Sequence, residues 1–440
     1  MVMEVAQIRY AERDVGAISF DTDTGQSAFE YDSAFLRSGI ELSPIHMPLR
    51  TGYFQFPGLD YDTFKGLPGL IADCLPDDFG NAVLNAWMSR QGKSPSDITP
   101  IQRLHYIGKR GMGALEFSPA TRMKALNASQ DVMIGELVAL AQRVLDDRNH
   151  FAVNIDRGGN DDADAMLSLL SVGTSAGGAR PKAVLAFNET FDTARSGQTD
   201  APEGFLHYLM KFDGVHEHSR SQQTFGDPMG YGAMEYVYHL MATRCGITMM
   251  PCRLLHEGRR RHFLTQRFDR MGNRKVHVQT LNGLAHASYK RVGQYSYEEA
   301  FSVMRRLGTG RQDAWQLFRR MVFNVVARNQ DDHTKNFAFM LHPDTHRWSI
   351  TPAYDLAYSY RPDSQWVAQH AMSLNGKRDH FTRQDFYAFE GVSPIFTRSA
   401  IDVIIDETIE HISAWRVLAT EQDVPATLIE TVEENLRLGL

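Results

Sequence analysis

Three cysteines stand in 440 residues, Cys74, Cys245 and Cys252, and they show neither paired spacing nor a zinc pattern. That excludes a disulfide-built secreted scaffold and suits a reducing cytosol. Long apolar runs are also missing. No stretch approaches the length needed to span a bilayer, and the segment Met1 to Asp14 lacks the apolar core of a signal peptide. The expectation is a cytoplasmic protein with no membrane partner. No internal repeat and no long low-complexity tract occurs. Positive charge is not in excess: 46 Lys and Arg against 53 Asp and Glu leave a net charge of −7. That argues against strong non-specific nucleic-acid binding by the chain alone. What remains is an ordinary globular composition, too long for a single core, so two or three domains are expected.

The segment Asn329-Gln330-Asp331-Asp332-His333-Thr334-Lys335-Asn336 is the most informative. Asp331 and Asn336 have the D-x-x-x-x-N spacing of a kinase catalytic loop, in which the Asp accepts a hydroxyl proton and the Asn holds a metal ion. Asp355, in Thr351-Pro352-Ala353-Tyr354-Asp355, stands where a second metal-binding Asp is needed. Apolar residues from Trp315 to Val326 recur at helical spacing and predict a core-facing helix leading into the loop. Asn336 to Leu341 and Arg347 to Thr351 predict two strands around the turn His342 to His346. That hairpin would return Asp355 beside Asn336. A polar turn explains one Asp but not the order helix, Asp loop, hairpin, Asp.

Other segments supply candidate partners. Gly173 to Lys182 is glycine-rich and precedes a predicted strand at Ala183 to Phe187. Such a loop lets backbone N–H groups approach phosphate oxygens. It matches neither G-x-x-x-x-G-K-[ST] nor G-x-G-x-x-G, and alone it reads equally as a bland turn. Leu206 to Phe212 predicts a strand carrying Lys211, a candidate point charge for phosphates. Tyr231 to Cys245 predicts a helix closed by Gly246, and its Glu235 could pair with Lys211 or simply face solvent. His262 to Arg270 predicts a strand whose end, Gln266 to Phe268, could bind adenine through its backbone. Asp269 and Arg270 read better as a structural ion pair than as catalytic groups.

The chain divides into an N-terminal region to about residue 125, a strand-rich region over 126–272 and a mostly helical region over 273–440. Hairpin strands are expected at Val15 to Phe20 and Gln26 to Tyr31, with helices at Asn81 to Arg90, Pro100 to Ile107 and Asn127 to Asp147. Asn149 to Asp162 is polar and is the expected hinge. The fold class expected is α+β: a bilobal, protein-kinase-like body with a β-rich N-lobe, a helical C-lobe and an additional N-terminal α/β subdomain.

Together these segments resemble the HipA family of serine/threonine kinases, the toxin half of HipBA-type toxin–antitoxin systems. Residues 64–81 (FKGLPGLIADCLPDDFGN) and 106–119 (YIGKRGMGALEFSP) are similar to N-terminal HipA segments. Residues 178–182 (GARPK), 209–212 (LMKF), 267–270 (RFDR), 331–337 (DDHTKNF), 351–359 (TPAYDLAYS) and 370–378 (HAMSLNGKR) follow in the order of the HipA core. The resemblance implies Asp331 as catalytic base and Asn336 and Asp355 as Mg²⁺ ligands. It implies an ATP site of Ala176, Gly177, Gly178, Ala179, Arg180, Pro181, Lys182, Lys211, Gln266, Arg267, Phe268, His333, Lys335, Asn336 and Tyr354. Ser175 matches the loop serine that the family autophosphorylates. The implied cofactors are ATP and Mg²⁺. The implied partners are a small helix-turn-helix antitoxin, operator DNA only through the antitoxin complex, and a protein substrate such as glutamyl-tRNA synthetase or another aminoacyl-tRNA synthetase. Gln266 replaces an acidic family residue, and Pro181 stiffens the phosphate loop.

Three other readings compete. A small-molecule kinase of aminoglycoside-phosphotransferase type shares the Asp/Asn/Asp arrangement, but the N-terminal resemblance counts against it. A non-catalytic module that binds an antitoxin or aids repression would be favoured by loss of a catalytic residue, and none is lost. A metal hydrolase using Asp331, Asp332 and His333 lacks further ligands at metal spacing.

Overall fold

The computed structural model describes residues 3–76, 78–90, 92–121, 132–146, 180–216 and 226–440. Ser175, Ala176, Gly177, Gly178 and Ala179, and the expected hinge Asn149 to Asp162, lie outside the described residues.

The N-terminal region is built on an antiparallel sheet of β1 (Met3–Tyr10), β2 (Arg13–Asp21), β3 (Gln26–Tyr31), β4 (Tyr53–Phe54) and β5 (Leu115–Ser118), in the order β4-β3-β2-β1-β5. The expected hairpin is present. Its turn closes with Gly25 N–H donating to the Asp21 carbonyl at 2.8 Å, with Gly25 at φ +68°, a conformation glycine adopts without steric cost. The sheet alternates buried and open residues, as a half-buried strand must.

A second sheet forms the N-lobe from β6 (Lys182–Phe187), β7 (Ala194–Ser196), β8 (Leu206–Lys211), β11 (Cys252–Glu257) and β12 (Arg260–Gln266). Its order is β11-β12-β8-β6-β7, and all neighbours are antiparallel. The short pair β9 (Val215–His216) and β10 (Gly226–Asp227) lies outside it. The helix Tyr231–Arg244 starts against β12. A Cβ at Gly232 would stand 1.9 Å from the Arg261 carbonyl oxygen, so only glycine permits this approach.

The C-terminal region holds the helices Tyr297–Leu307, Arg311–Val326, Arg398–Ser413, Trp415–Glu421 and Ala426–Asn435. The first begins with a capping box between Ser296 and Glu299. A small hairpin, β13 (Arg270–Met271) with β14 (Arg274–Lys275), leads to a three-stranded sheet of β15 (His277–Thr280), β16 (Ala338–Leu341) and β17 (Trp348–Ile350). The sheet contains the expected β16–β17 hairpin, but β15 joins it from a region read as helical. Asn336 does not open β16 as expected. Thr334–Asn336 is one tight 3₁₀ turn, because the Asn336 side chain bonds back into its own loop.

Two apolar cores result. One joins the N-terminal sheet to the C-terminal helices, with Ile8, Phe29 and Phe64 in the same cluster as Phe318, Met321 and Trp415. The other joins the helices Asp78–Arg90 and Ile134–Asp146 to the N-lobe sheet, through Phe79, Val83, Leu137, Leu185 and Met210. This is the bilobal α+β plan expected, with an added N-terminal subdomain.

Candidate active site

Lys211 ends β8, directly opposite Lys182 on β6. Both are buried. Like charges across a strand pair repel, so such a pair persists only beside anions. The anions are present. The Lys211 ammonium donates to Glu235 Oε1 at 2.5 Å and to Asp355 Oδ1 at 2.5 Å. Of the two alternatives for Glu235, the pair with Lys211 is the one formed, and Asp355 completes it from the C-lobe. Arg180 Nη1 lies 3.9 Å from Glu235 Oε2. Burial works against the Lys211 charge, but Asp355 and Glu235 outweigh it and keep the ammonium protonated. Burial also pushes the Asp355 carboxyl up, yet Lys211, Lys182 and Arg180 hold it far below the usual carboxylate range. Burial raises Glu235 despite Lys211. The strong ion pair is thus Lys211–Asp355, with Glu235 as the supporting acceptor. Three cations act on two carboxylates here, a balance suited to further negative charge.

Asp355 adopts φ +57°. A non-glycine residue in this region stores strain that surrounding contacts must hold. Its neighbour Tyr354 donates its hydroxyl to the Lys335 carbonyl at 2.6 Å and lies 5.7 Å, ring to ring, from Phe268 at the end of β12.

The catalytic-loop candidate begins where the helix Arg311–Val326 ends. Arg328 turns the chain at φ +57°, and Asn329 ties back to Asn324 through both backbone and side chain. Asp331 and Asp332 then part company. Asp332 is fully buried and accepts from the Tyr297 hydroxyl (2.7 Å), the Ala371 N–H (2.7 Å) and His370 Nδ1 (2.8 Å). It anchors the loop. Asp331 lies deep in the cleft, yet 41% of its side chain is open to solvent. Burial raises its carboxyl, His333 opposes this, and Asp355 and Asp332 add to it. A raised carboxylate in an open cleft is a sound proton acceptor.

His333 Nε2 stands 3.7 Å from Asp331 Oδ1, and His333 Nδ1 has no hydrogen-bond partner among the described residues. Asn336 spends its amide nitrogen on the Asp331 carbonyl at 2.7 Å, which leaves its amide oxygen for a cation. That oxygen and the Asp355 carboxylate are the hard ligands Mg²⁺ prefers. Among the described residues, no cluster of three His, Cys, Asp or Glu could hold a metal.

The hinge candidate needs correction. Arg267 was expected in the nucleotide site, but its amide donates to the His207 carbonyl at 2.9 Å. Its guanidinium grips Asp269 at 2.8 and 2.7 Å. Arg270 shares Asp269 at 2.8 Å and reaches the Gly111 and Gly113 carbonyls. Against burial, the two guanidiniums hold Asp269 well below its ordinary value. This knot ties the N-terminal region to the hinge and is structural. The Gln266 amide is also taken, by the Pro251 carbonyl at 3.0 Å. Proline has no N–H to return the bond, so the Gln266 carbonyl stays available. Among the described residues, no backbone acceptor engages the Phe268 amide. A proline beside a strand end was the signal that could have found this open carbonyl. A cavity of about 340 Å³ near the hinge, lined by Leu206, His207, Gln266 and Arg270, does not include the Lys211–Asp355 corner.

The structure thus brings together Arg180, Lys182, Lys211, Glu235, Asp331 and Asp355, with His333, Lys335, Asn336, Phe268 and Tyr354 around them. Pro181 joins Arg180 to β6, its carbonyl accepting from Phe212 N–H at 3.2 Å.

Comparison with known proteins bears on the family and the fold. No curated protein sequence matches the chain. Among solved structures, the HipA protein of Shewanella oneidensis MR-1, from a complex of HipA, HipB and operator DNA, shares 17% identity and a TM-score of 0.63, over 98% of this chain and 95% of that one. The proinflammatory kinase CtkA of Helicobacter pylori shares 14% identity over 59% of this chain and 94% of that one, with a TM-score of 0.32, too low to carry an argument. The HipA N-terminal domain profile matches residues 6–118, and the HipA-like C-terminal domain profile matches residues 174–416. The chain belongs to the HipA family.

Proposed function

We infer that the chain is an ATP-dependent serine/threonine protein kinase and the toxin of a type II toxin–antitoxin pair. The observation that carries this reading is Lys211 bridging Glu235 and Asp355, with Asp331 open beside them. Lys211, Lys182 and Arg180 would bind the phosphates as fixed positive charges. The Gln266 carbonyl and Phe268 amide would hold the adenine edge. Asn336 and Asp355 would hold Mg²⁺, which supplies charge neutralisation between the β- and γ-phosphates. The acceptor hydroxyl oxygen bonds to the γ-phosphorus as the bond to the β–γ bridging oxygen breaks. ADP leaves, and the hydroxyl proton passes to Asp331.

The wider reading rests on family membership. A small helix-turn-helix antitoxin is the partner, as HipB is in the Shewanella complex, and operator DNA is reached only through it. The substrate is a protein, with an aminoacyl-tRNA synthetase such as the glutamyl enzyme as first candidate. Ser175 is the autophosphorylation site, and the location is the cytoplasm. The three-part division at residues 125 and 272 is proposed as the domain organisation. Phosphoproteomics after expression, with Asp331→Asn as control, tests the function. New phosphoserine or phosphothreonine that vanishes in the control supports it; identical phosphorylation from both chains refutes it.

A further inference from the structure

The N-terminal segment Phe64 to Asn81 has no part in the phosphoryl transfer described above, yet it holds the stretch of chain that packs against the loop carrying Asp331. Asp73 accepts from the Thr280 N–H at 2.7 Å and from the Thr280 hydroxyl at 2.9 and 2.8 Å. Asn282 Nδ2 adds a longer contact at 3.3 Å. Around this point the fit excludes side chains. A Cβ at Gly283 would lie 2.3 Å from Asp73 Oδ2, and one at Gly69 would lie 2.1 Å from the Gly283 carbonyl oxygen. Gly69 N–H donates to His286 Nε2 at 3.0 Å, and Asp60 holds Ser288 at 2.8 Å and Arg291 at 3.2 Å. The segment Thr280 to Arg291 is therefore gripped along its length by the N-terminal region.

Its other side touches the Asp331–Asn336 loop. Leu281 N–H donates to the Phe337 carbonyl at 2.7 Å, and the Thr334 hydroxyl donates to the Ala287 carbonyl at 2.7 Å. Tyr289 packs 5.3 Å from His333 and carries the Lys335 ammonium over its ring at 4.8 Å. One layer of chain, twelve residues long, thus separates the N-terminal region from the loop.

We propose that Asp73 is a positioning residue for the Asp331–Asn336 loop, acting through Thr280 and the segment that follows it. Asp73 touches no reacting atom. It fixes the backbone to which Thr334 and Phe337 are bonded, and so fixes the spacing of Asp331 and Asn336. This assignment rests on the kinase reading for its catalytic consequence but not for its structural one. Burial already disfavours the Asp73 charge, so Asp73→Asn leaves a group of the same shape and should fold.

The test uses the full chain in four forms: wild type, Asp73→Asn, Thr280→Val and the double variant, with Thr280→Ser as the conservative control. Asp73→Asn and Thr280→Val should each lower kcat by about 10- to 100-fold, the range for a displaced outer contact, with KM for ATP unchanged. The double variant should lose less than the sum of the two single losses, because both remove the bond between the Thr280 hydroxyl and Asp73. Thr280→Ser should keep wild-type values. Hydrogen exchange at the Thr334 to Phe337 amides should quicken in the Val and Asn variants by more than it does at the amides of the helix Arg311–Val326, which report any loss of global stability. Additive losses, or loop exchange identical to wild type, would overturn the proposal. A chain that transfers no phosphoryl group in any form would remove the kinase reading, and loop exchange would still decide the positioning role.

Discussion

The two ends of the cleft treat the same side chain in opposite ways. At the Lys211 corner, cations surround Asp355 and hold its carboxyl down. At the loop, burial and neighbouring carboxylates push Asp331 up. Two aspartates whose environments drive their proton affinities apart can divide the labour, one as a permanent anion and one as an acid–base group. A second contrast lies within the loop. Asp331 is open and Asp332 is sealed beneath it by Tyr297, His370 and Ala371. One residue of displacement along the chain separates the proposed proton acceptor from the anchor.

The strongest way to break the contrast is to remove its cation. Lys211→Met leaves the buried Glu235 and the half-buried Asp355 without the ammonium they share. Breaking a buried pair in this way costs about 3–5 kcal/mol, and phosphoryl transfer should vanish. Urea unfolding and a γ-phosphate transfer assay read both effects, and a stable, active Lys211→Met chain would contradict the corner's role. Removing either aspartate should separate the two ends. Asp331→Asn and Asp355→Asn should each slow transfer at least ~10²-fold, but only Asp355→Asn should raise the Mg²⁺ concentration needed for half-maximal rate. Titrating Mg²⁺ against both variants checks this, and equal Mg²⁺ requirements would merge the two roles.

Asp332→Asn sharpens the second contrast. Family spacing alone suggests a mild change, and for the chemical step it should be mild. The buried acceptor set predicts instead a stability loss of about 1–3 kcal/mol, the cost of leaving a buried partner unsatisfied. Thermal unfolding measured alongside activity per folded molecule distinguishes the two.

Both pH dependences run toward loss in acid, from carboxyl values displaced in opposite directions. Asp331 works deprotonated, so activity is lost as pH falls through its raised value, and the acid limb of kcat/KM should lie above the ordinary 3.8. Asp355 has a lowered folded value, so its stabilisation is complete above its unfolded value near 3.8 and is lost as pH falls below it. An acid limb at or below 3.8, or acid unfolding unchanged in Asp355→Asn, would count against the assignment. The smallest effect belongs to Gln266→Ala. If adenine meets only the backbone there, KM for ATP should barely move, and a large rise would show that the side chain takes part.

The residues gathered at the cleft are legible because their signals are local. Asp331 and Asn336 share one loop, and the hairpin that returns Asp355 is written in the residues between Asn336 and Asp355. The Lys211–Glu235 pair was a stated possibility, one strand and one helix apart. What escaped was long-range. Nothing near Asp73 indicates that its carboxylate seeks Thr280, some two hundred positions away. Strand β1 and β5 lacked the turn signals that marked the β2–β3 hairpin. Arg267 was placed by motif, but only the assembled hinge reveals that Asp269 and His207 consume its donors. Asp332 beside Asp331 looks equivalent in sequence because burial is not a property of neighbours in the chain.

The sharing of the two apolar cores bears on how such a protein can be taken apart. The segment matched as an N-terminal domain ends at residue 118, yet its helix Asp78–Arg90 fills the interior of the N-lobe and its sheet lines the interior of the C-lobe. A chain cut there would strip Phe79, Val83 and Leu84 from one lobe and Phe29 and Phe64 from the other. Large apolar faces would be bared on both fragments, the kind of surface that drives aggregation. The boundary is one of inheritance rather than of folding, and neither piece is a natural unit for expression, swapping or fusion.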